Sequence, residues 1–324
     1  MAYTKVKLNH ISLKALEVGH SYNYPIFYKS RDDIFKKLIE LDGSYNDEIG
    51  QKIINYNIKD VYVLAKDHPQ YEIDTQEYLT KLIYDKTISA QLKSEIIHEM
   101  ASDTMNELFQ GALTTKKIER TSELVTDTIN LILNDKVAVK AMMGVTSYDY
   151  YTYTHCVNVA IYSLGFASYL KLSKEELYRI GMAAMLHDLG KKDVPNEIVN
   201  KNGRLSDEEF ELMKNHPTYG VKILKKISSL EQEILDIIEQ HHEKLDGTGY
   251  PYGLTAEKIT YLSQIVAICD IFDALTTKRS YKDALNSYRA FIIMEKEMAK
   301  ELNIELLKKF IIFMSEKIEQ DKNN

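Results

Sequence analysis

The sequence has few of the residues that build cross-linked or membrane-anchored proteins. Its 324 residues include two cysteines, Cys156 and Cys269, and no tryptophan. Two cysteines exclude a disulfide-rich scaffold and a zinc site made of cysteine thiolates. No segment approaches the roughly 18 consecutive apolar residues that a membrane-spanning helix needs, and no apolar run follows the first residues as it would in a secretory signal. We therefore expect a cytoplasmic protein without membrane insertion.

An excess of positive charge is also missing. The chain has 41 Lys and Arg residues against 48 Asp and Glu residues, a formal net charge of −7. Non-specific binding to a nucleic-acid backbone needs a basic face, so we expect no DNA or RNA partner. An anionic ligand is still compatible with this balance if a bound metal supplies positive charge locally. The hydrophobic content of 44% is that of an ordinary globular protein with a real core.

The first part of the chain predicts a small α+β module over residues 1–85. An aromatic-rich strand is predicted over 21–28 and a buried strand over 60–65, with a short helix over 48–56 between them. Ser30-Arg31-Asp32-Asp33 has the form of a helix N-cap box, which predicts an amphipathic helix that ends near Gly43.

From about residue 75 onward, apolar positions recur at helical spacing. The pattern predicts a helical connector over 86–145 and an all-helical domain over 146–324, so the fold class is mostly α. Helices are predicted over 148–170, 173–186, 206–214, 218–227, 230–241 and 256–275, with two more after residue 286. Ser173 and Ser206 each precede a glutamate three residues later, which is a helix-start signature.

Two short motifs carry the chemistry. One is His187-Asp188-Leu189-Gly190-Lys191, and the other runs from His241-His242-Glu243 through Asp246-Gly247-Thr248-Gly249-Tyr250-Pro251. Imidazoles together with carboxylates suit iron, manganese or zinc. An adjacent His-Asp pair allows the histidine to bind one metal while the carboxylate bridges to a second, and two metals about 3.5–4 Å apart can promote an in-line phosphoryl displacement. The candidate metal ligands are His155, His187, Asp188, His216, His241, His242 and Asp270.

Some of these residues also have simpler explanations. His155 taken alone is more often a hydrogen-bonded core histidine, and His216, before Pro217, could complete a helix-end interaction. Asp270 lies in the apolar segment 265–272, where an unpaired carboxylate would cost several kcal/mol, so a nearby cation is favoured. Core packing does not explain the His187-Asp188 or His241-His242 pairs.

On these residues the chain resembles the HD-GYP family, a branch of the HD phosphohydrolase superfamily. The resemblance covers residues 145–315 and includes 187–191, Pro195, 201–205, His216, 241–251 and the segment from Asp270 to Lys282. It implies an all-helical HD-type phosphohydrolase domain with a non-haem iron or manganese cluster. It also implies hydrolysis of cyclic di-GMP, through a metal-activated hydroxide, to linear pGpG and in some members to GMP.

The resemblance also implies individual roles. The seven candidates named above become the metal ligands, with Asp188 as the bridge, and Lys191 becomes a catalytic lysine. Tyr250, Arg279 and Lys282 become substrate contacts, where an Arg fork and a Lys charge complement phosphate. Asp246 and the glycines Gly247 and Gly249 are expected to shape the loop through positive φ angles. Asp273 is expected to support a ligand without binding the metal itself.

One position departs from the family pattern. Members with three metals have a glutamate four residues before the first histidine, and here that position is Tyr151. We therefore expect two divalent metal ions, iron or manganese, and a reaction that stops at pGpG.

Three functions remain open from the sequence. The first is a cyclic di-GMP phosphodiesterase, and the second is an HD hydrolase of another cyclic dinucleotide or a nucleoside monophosphate. The third is a non-catalytic, metal-bearing module that senses a ligand and recruits partners such as diguanylate cyclases (GGDEF proteins). Residues 1–85 are expected to regulate or to contact proteins, and residues 86–145 could form the seam of a homodimer.

Overall fold

The structure is a computed structural model that describes residues 7–135, 137–146, 152–278 and 284–321, with side chains to residue 315. The chain divides into two compact units, residues 1–103 and 104–324. The predicted three-part division at residues 85 and 145 is finer than this and stays a prediction. The predicted fold class is confirmed, because helices predominate and the strands are confined to the first unit.

The first unit contains two antiparallel sheets. Its elements are β1 (Leu8–Ile11), β2 (Ser21–Tyr22), β3 (Ile26–Lys29), β4 (Phe35–Ile39), β5 (Gly43–Ser44), α1 (Asp47–Tyr56), β6 (Val61–Leu64) and α2 (His68–Tyr84). The larger sheet has the order β1-β6-β3-β4, and β2 pairs with β5. The central strand β6 alternates buried valines, Val61 and Val63, with half-buried residues, so one face of the sheet supplies the core.

The helix predicted over residues 30–43 is wrong, because this segment forms a β-hairpin. Strand β3 pairs with β4 in the register Tyr28↔Lys36. The Ser30 hydroxyl donates to the Ile34 carbonyl at 2.9 Å and closes the turn instead of capping a helix. Asp33 has φ of 64°, a conformation that ends a right-handed helix. The burial of Leu38 and Ile39 in the sheet core outweighs the local capping signal.

The second unit is all-helical in its described part. Helix α3 (Ala90–Gln110) contains the division point, and the following helices are α4 (Thr115–Asn134), α5 (Ala138–Gly144), α6 (Thr152–Tyr169), α7 (Lys174–Leu186), α8 (Asn196–Val199), α9 (Asp207–Met213), α10 (His216–Ile227), α11 (Gln232–Gln240), α12 (Tyr261–Thr276), α13 (Ser287–Lys296) and α14 (Ile304–Asp321). Short 3-10 helices span Leu189–Asp193 and Ala256–Lys258. No described helix combines the length and the apolar composition that a membrane span requires.

The capping signatures predicted the helix starts well. Ser173 and Ser206 are the N-caps of α7 and α9, and each forms a complete capping box with the glutamate three residues later. Helix α10 begins two residues before the prediction, at His216, because Pro217 fits the first turn of a helix and does not interrupt it.

Helix α6 lies at the centre of the second unit. It is buried on all sides from Thr154 to Ala167, as expected for a helix that is apolar nearly all round. Its Phe166 ring packs edge-on against Phe310, and Phe310 packs against Phe272 of α12. These contacts fix α6 and α12 side by side, so His155 and Asp270 approach each other.

Candidate metal centre

The seven candidate ligands converge in one place, although they come from five parts of the chain. His155 lies in α6 and Asp270 in α12, while His187 caps the C-terminus of α7 and Asp188 follows it. His216 opens α10, and the His241-His242 pair directly follows α11. All except His242 are at least 95% buried.

Asp188 is the carboxylate with the most imidazole neighbours. Its Oδ1 lies 3.3 Å from His216 Nε2, and its Oδ2 lies 3.6 Å from His187 Nε2 and 3.9 Å from His155 Nε2. The second carboxylate, Asp270, lies 3.0 Å from His155 Nε2 and 3.7 Å from His242 Nδ1. The geometry therefore places two carboxylates among five imidazoles, and each carboxylate faces more than one of them.

Three of the histidines are oriented by backbone carbonyls. The Nδ1 atoms of His187, His216 and His241 lie 2.7, 2.9 and 2.7 Å from the carbonyl oxygens of Ala184, Met213 and Ile238. A carbonyl only accepts hydrogen bonds, so each Nδ1 carries the hydrogen and each neutral ring presents Nε2 as a lone-pair donor. In all three cases the carbonyl belongs to the residue three positions earlier in the chain. This is the arrangement that fixes metal-binding imidazoles.

The donor set fits a cation. His216 Nε2 and His241 Nε2 lie 3.3 Å apart, so two buried lone pairs face each other. Within the described part of the chain, the buried Nε2 of His187 has no hydrogen-bond partner. Leaving a buried polar atom unpaired costs free energy. A bound cation would stabilise the facing lone pairs of His216 and His241 and would also give the Nε2 of His187 a partner.

The possible ligand groups overlap at Asp188. One comprises Asp188, His216, His241 and His242, and another comprises His155, His187 and Asp188, each with ligand atoms within 4.8 Å of one another. The cluster therefore can hold metal, and nitrogen with oxygen ligands and no thiolate is the donor set of iron, manganese or catalytic zinc.

The electrostatics keep the ligands in their metal-binding forms. Burial lowers the pKa of His187 and lowers that of His241 further, so both rings are neutral at pH 7. Burial would raise the pKa of Asp188, but the Lys191 ammonium and neighbouring imidazoles hold it well below its usual range. Lys191 Nζ donates to Asp188 Oδ2 at 2.5 Å. Lys191 thus lies beside the central carboxylate, and its catalytic role stays a prediction.

Asp273 orients His155. Its Oδ2 lies 2.7 Å from His155 Nδ1, and its Oδ1 accepts hydrogen bonds from Asn158 Nδ2 at 3.0 Å and the Thr277 hydroxyl at 3.1 Å. This is the supporting position expected for Asp273. Asn158 was missed by the sequence reasoning, although it lies one turn after His155 on the same helix and this spacing could have identified it.

Close backbone packing brings two of the ligands together. A Cβ atom on Gly190 would lie 1.9 Å from the His216 carbonyl oxygen and 2.3 Å from Gly220 N, so only glycine fits there. The 3-10 helix after Asp188 can therefore lie directly against the start of α10. That contact sets the distance between Asp188 and His216.

The loop after His242 is held by Glu243, a buried residue that the sequence reasoning did not single out. Its carboxylate accepts hydrogen bonds from the backbone N–H groups of Tyr252 at 2.7 Å and Leu254 at 2.8 Å. Asp246 accepts from the Thr248 N–H and hydroxyl and shapes the turn, as predicted. The sequence signal for Glu243 is its position directly after the His241-His242 pair, where the loop begins.

The predicted positive φ angle is confirmed for Gly247 and wrong for Gly249. Gly247 has φ of 79°, as predicted. Gly249 is not among the positive-φ residues, and it is required for a different reason. A Cβ atom there would lie 2.3 Å from Lys244 N and 2.6 Å from the His242 carbonyl oxygen. The loop thus folds back onto the metal-binding segment at Gly249, and the next residue, Tyr250, lies beside the cluster.

A cavity of about 610 Å³ opens onto the cluster. Tyr250 lines it, with its ring centroid 4.7 Å from that of His242, and burial raises the pKa of its phenol. Lys191 lines the cavity too, together with Lys201 and Asn200 from the segment 190–205. The other predicted substrate contacts, Arg279 and Lys282, lie outside the described residues, as does Tyr151.

The chain is similar to known proteins. A family model described as HD domain matches residues 128–305, more than half of the chain. A cyclic di-GMP phosphodiesterase of Pseudomonas aeruginosa is 37% identical over 169 residues, which cover 52% of this chain and 41% of that protein. A 3'3'-cGAMP-specific phosphodiesterase of Vibrio cholerae is 38% identical over 148 residues, or 46% of this chain and 32% of that protein. The chain therefore spans less than half the length of these curated relatives.

A solved structure shows the same fold. An HDG"Y"P protein from Bdellovibrio bacteriovorus superposes with a TM-score of 0.70 at 19% identity, over 95% of this chain and all of that one. At this identity the likeness supports the fold alone.

Proposed function

The chain belongs to the HD domain family, and we propose that it is a metal-dependent phosphodiesterase that hydrolyses cyclic di-GMP to linear pGpG. The observation that carries this proposal is the convergence of five imidazoles and two carboxylates at the base of one cavity. The names and identities of the curated relatives support the same substrate class.

We assign the metal-binding role to the seven predicted ligands, which would hold two divalent ions, iron or manganese. Asp188 belongs to two of the three possible ligand groups in this cluster, and the third comprises His187, His241 and Asp270. When bound, two such ions would activate water and stabilise the charge of an in-line phosphoryl displacement. The side chains of the protein contribute orientation, a water-poor site and the transfer of a proton.

The reaction opens one of the two phosphodiester bonds. The oxygen of water bonds to phosphorus, the bond from phosphorus to the ribose 3′ oxygen breaks, and that oxygen takes up a proton. Lys191 is the cation beside Asp188 that lines the cavity. It would neutralise a non-bridging phosphate oxygen or protonate the departing oxygen. Tyr250 would contact the substrate from the facing loop, and Arg279 and Lys282 remain predicted phosphate contacts.

The substrate assay tests the proposal directly. Protein loaded anaerobically with Fe(II) or Mn(II) is incubated with cyclic di-GMP and, separately, with 3'3'-cGAMP, and the products are separated by chromatography. We expect pGpG from cyclic di-GMP. Preference for 3'3'-cGAMP would assign the alternative substrate that one group of relatives suggests. A metal-loaded protein that hydrolyses neither would favour the non-catalytic sensor.

Two variants separate metal binding from catalysis. Asp188→Ala should lose metal and activity together, because it removes the carboxylate that faces three imidazoles. Lys191→Met should keep the metals and lower kcat by about 100-fold, the cost of losing one preorganised charge in an active site. Unchanged turnover in Lys191→Met would show that the catalytic role is wrongly assigned.

The remaining predictions concern partners and location. A diguanylate cyclase partner, a homodimer seam in residues 86–145 and a cytoplasmic location all stay predictions.

A further inference from the structure

Two adjacent lysines in the 3-10 helix Leu189–Asp193 donate hydrogen bonds to different parts of the second unit. Lys191 Nζ donates to Asp188 Oδ2 at 2.5 Å, in the metal centre. Lys192 Nζ donates to the Phe109 carbonyl oxygen at 2.5 Å and to the Gly111 carbonyl oxygen at 3.1 Å. Through these two consecutive residues, the 3-10 helix therefore links the metal centre to the end of helix α3.

The end of helix α3 is a site that attracts cations. The last carbonyls of a helix have no partners within the helix and carry the negative end of its dipole. Helix α3 has no basic residue in its own last turn. The lysines come from outside the helix. Lys117 Nζ donates to the Glu107 carbonyl oxygen at 2.9 Å, and Lys192 Nζ donates to the carbonyl oxygens of Phe109 and of Gly111, which directly follows the helix.

Lys192 is held there against an electrostatic cost. Its side chain is partly buried, and burial and the neighbouring Lys117 ammonium lower its pKa, opposed by Asp193. An ammonium in such surroundings is retained when backbone carbonyls solvate it. The contact thus fastens the 3-10 helix at a defined point.

The position of the Lys191 side chain depends on its backbone more than the position of a side chain packed in the core does. Its side chain borders open space on two sides: the 610 Å³ cavity over the metal centre and a second cavity of about 480 Å³ that Lys192 and Phe109 also line. Packing constrains a side chain with space on both sides only weakly. Its ammonium is held by Asp188, and the backbone of residues 190–192 sets the point from which the side chain reaches that carboxylate.

We propose that Lys192 is a positioning residue that anchors the 3-10 helix to the end of α3 and thereby holds the Lys191 ammonium at the metal centre. The inference rests on the proposed catalytic role of Lys191 and adds a residue to it. The hydrogen bonds given for Lys192 go to the end of α3 and not to the candidate metal ligands.

The test compares three variants on cyclic di-GMP. Lys192→Met removes the anchor and should lower kcat by about tenfold, because displacing a catalytic group by a fraction of an ångström already has effects of this size. KM and bound metal should stay within twofold of wild type. Lys192→Arg keeps a charged donor and should restore most of the lost kcat. Lys117→Met, the matched control, removes the other lysine at the same helix end and should leave kcat within twofold.

A double mutant shows whether Lys192 acts through Lys191. In the Lys191→Met background, Lys192→Met should cause no further loss of kcat, since the group that it positions is already gone. An additive tenfold loss would overturn the inference, and so would equal kcat values for Lys192→Met and Lys117→Met. Thermal melts of both single variants separate positioning from general destabilisation. If Lys192→Met does not fold, Lys192→Gln, which keeps a neutral donor, takes its place in the same comparison.

Different results would overturn the proposed function and the inference about Lys192. Wild-type protein that binds metal without turning over a cyclic dinucleotide would overturn the proposed function, and this inference with it. Normal wild-type turnover together with an unimpaired Lys192→Met would overturn only the inference.

Discussion

At the scale of single residues, the candidate metal centre depends on hydrogen bonds that decide which nitrogen of each imidazole faces the other candidate ligands. His155 differs from His187, His216 and His241, because a carboxylate and not a backbone carbonyl holds its Nδ1. Its orientation can therefore be changed by a substitution that keeps the shape of the partner.

Asp273→Asn makes that change. If the carboxamide Nδ2 takes the place of Oδ2, it puts a donor against the His155 Nδ1 hydrogen, and the ring has to rotate or exchange its tautomer. We expect metal affinity to fall by about 10–100-fold, measured by competition with a chelator of known affinity. Asp236→Asn, at a carboxylate bonded to Gln232 on α11, is the control and should bind metal normally. Unaltered affinity in Asp273→Asn would show that His155 does not depend on Asp273.

Gly190→Ala tests the close approach of the 3-10 helix to α10. The added methyl group would overlap the backbone of His216 and Gly220, so we expect a loss of about 3 kcal/mol in the free energy of unfolding. Gly144→Ala, where an added Cβ meets nothing within 4 Å, is the control and should stay within about 0.5 kcal/mol. Denaturant titration measures both, and equal stabilities would contradict the packing argument.

At the scale of elements, the loop 243–254 folds back onto the metal-binding segment and is held by one buried carboxylate. Glu243→Gln keeps the size of the side chain but loses the charge that accepts the two backbone N–H groups. Weakening these bonds by about 1–2 kcal/mol should loosen the loop and move Tyr250. We expect KM for cyclic di-GMP to rise by about tenfold while the bound metal stays constant.

The matched control for this loop is Glu239→Gln. Glu239 accepts a hydrogen bond from the hydroxyl of Tyr252, whose side chain is largely exposed. Its loss should leave KM within about twofold, since exposed interactions contribute little. A similar KM in both variants would mean that Glu243 does not determine the position of the loop.

The elements also show what the sequence predicts and what it does not. Helix starts at Ser173 and Ser206 follow from side chains that bond to nearby backbone, so a local pattern identifies them. The hairpin of β3 and β4 does not follow from a local pattern. Ser30-Arg31-Asp32-Asp33 carries a helix-capping pattern, but the pairing of β3 with β4 decides the outcome. Gly249 shows the same limit, since its close contact with Lys244 depends on how the loop folds back.

At the scale of the whole molecule, the motifs pointed to one cluster because core packing does not explain the polar pairs His187-Asp188 and His241-His242, and that these residues bind metal stays a prediction. The weaker candidates, His155, His216 and Asp270, needed the fold to bring them to the same place, and it does so through α6, α10 and α12. Asn158 and Glu243 lie close to candidate ligands in the sequence, so their positions carried a signal. The groups that they bond, like the partners of Lys192, are placed only by the tertiary structure.

A cluster of buried imidazoles and carboxylates also couples metal binding to folding. A ligand that binds only the folded state stabilises it by RT ln(1 + [L]/Kd), which is about 4 kcal/mol at a thousandfold excess over Kd. Chelation should therefore lower the melting temperature by several degrees, and Fe(II) or Mn(II) should restore it. Asp188→Ala should melt at the same temperature with and without chelator. A wild-type melt that is indifferent to metal would argue that no tight site exists.

The proposed centre would hold two metal ions, and its count of bound metal should depend on Asp188, the carboxylate that faces three imidazoles. Elemental analysis of protein loaded anaerobically with Mn(II) and then desalted tests it most directly. We expect two equivalents per chain for wild type, and less than one for Asp188→Ala. One equivalent in wild type, or an undiminished count in the variant, would contradict it.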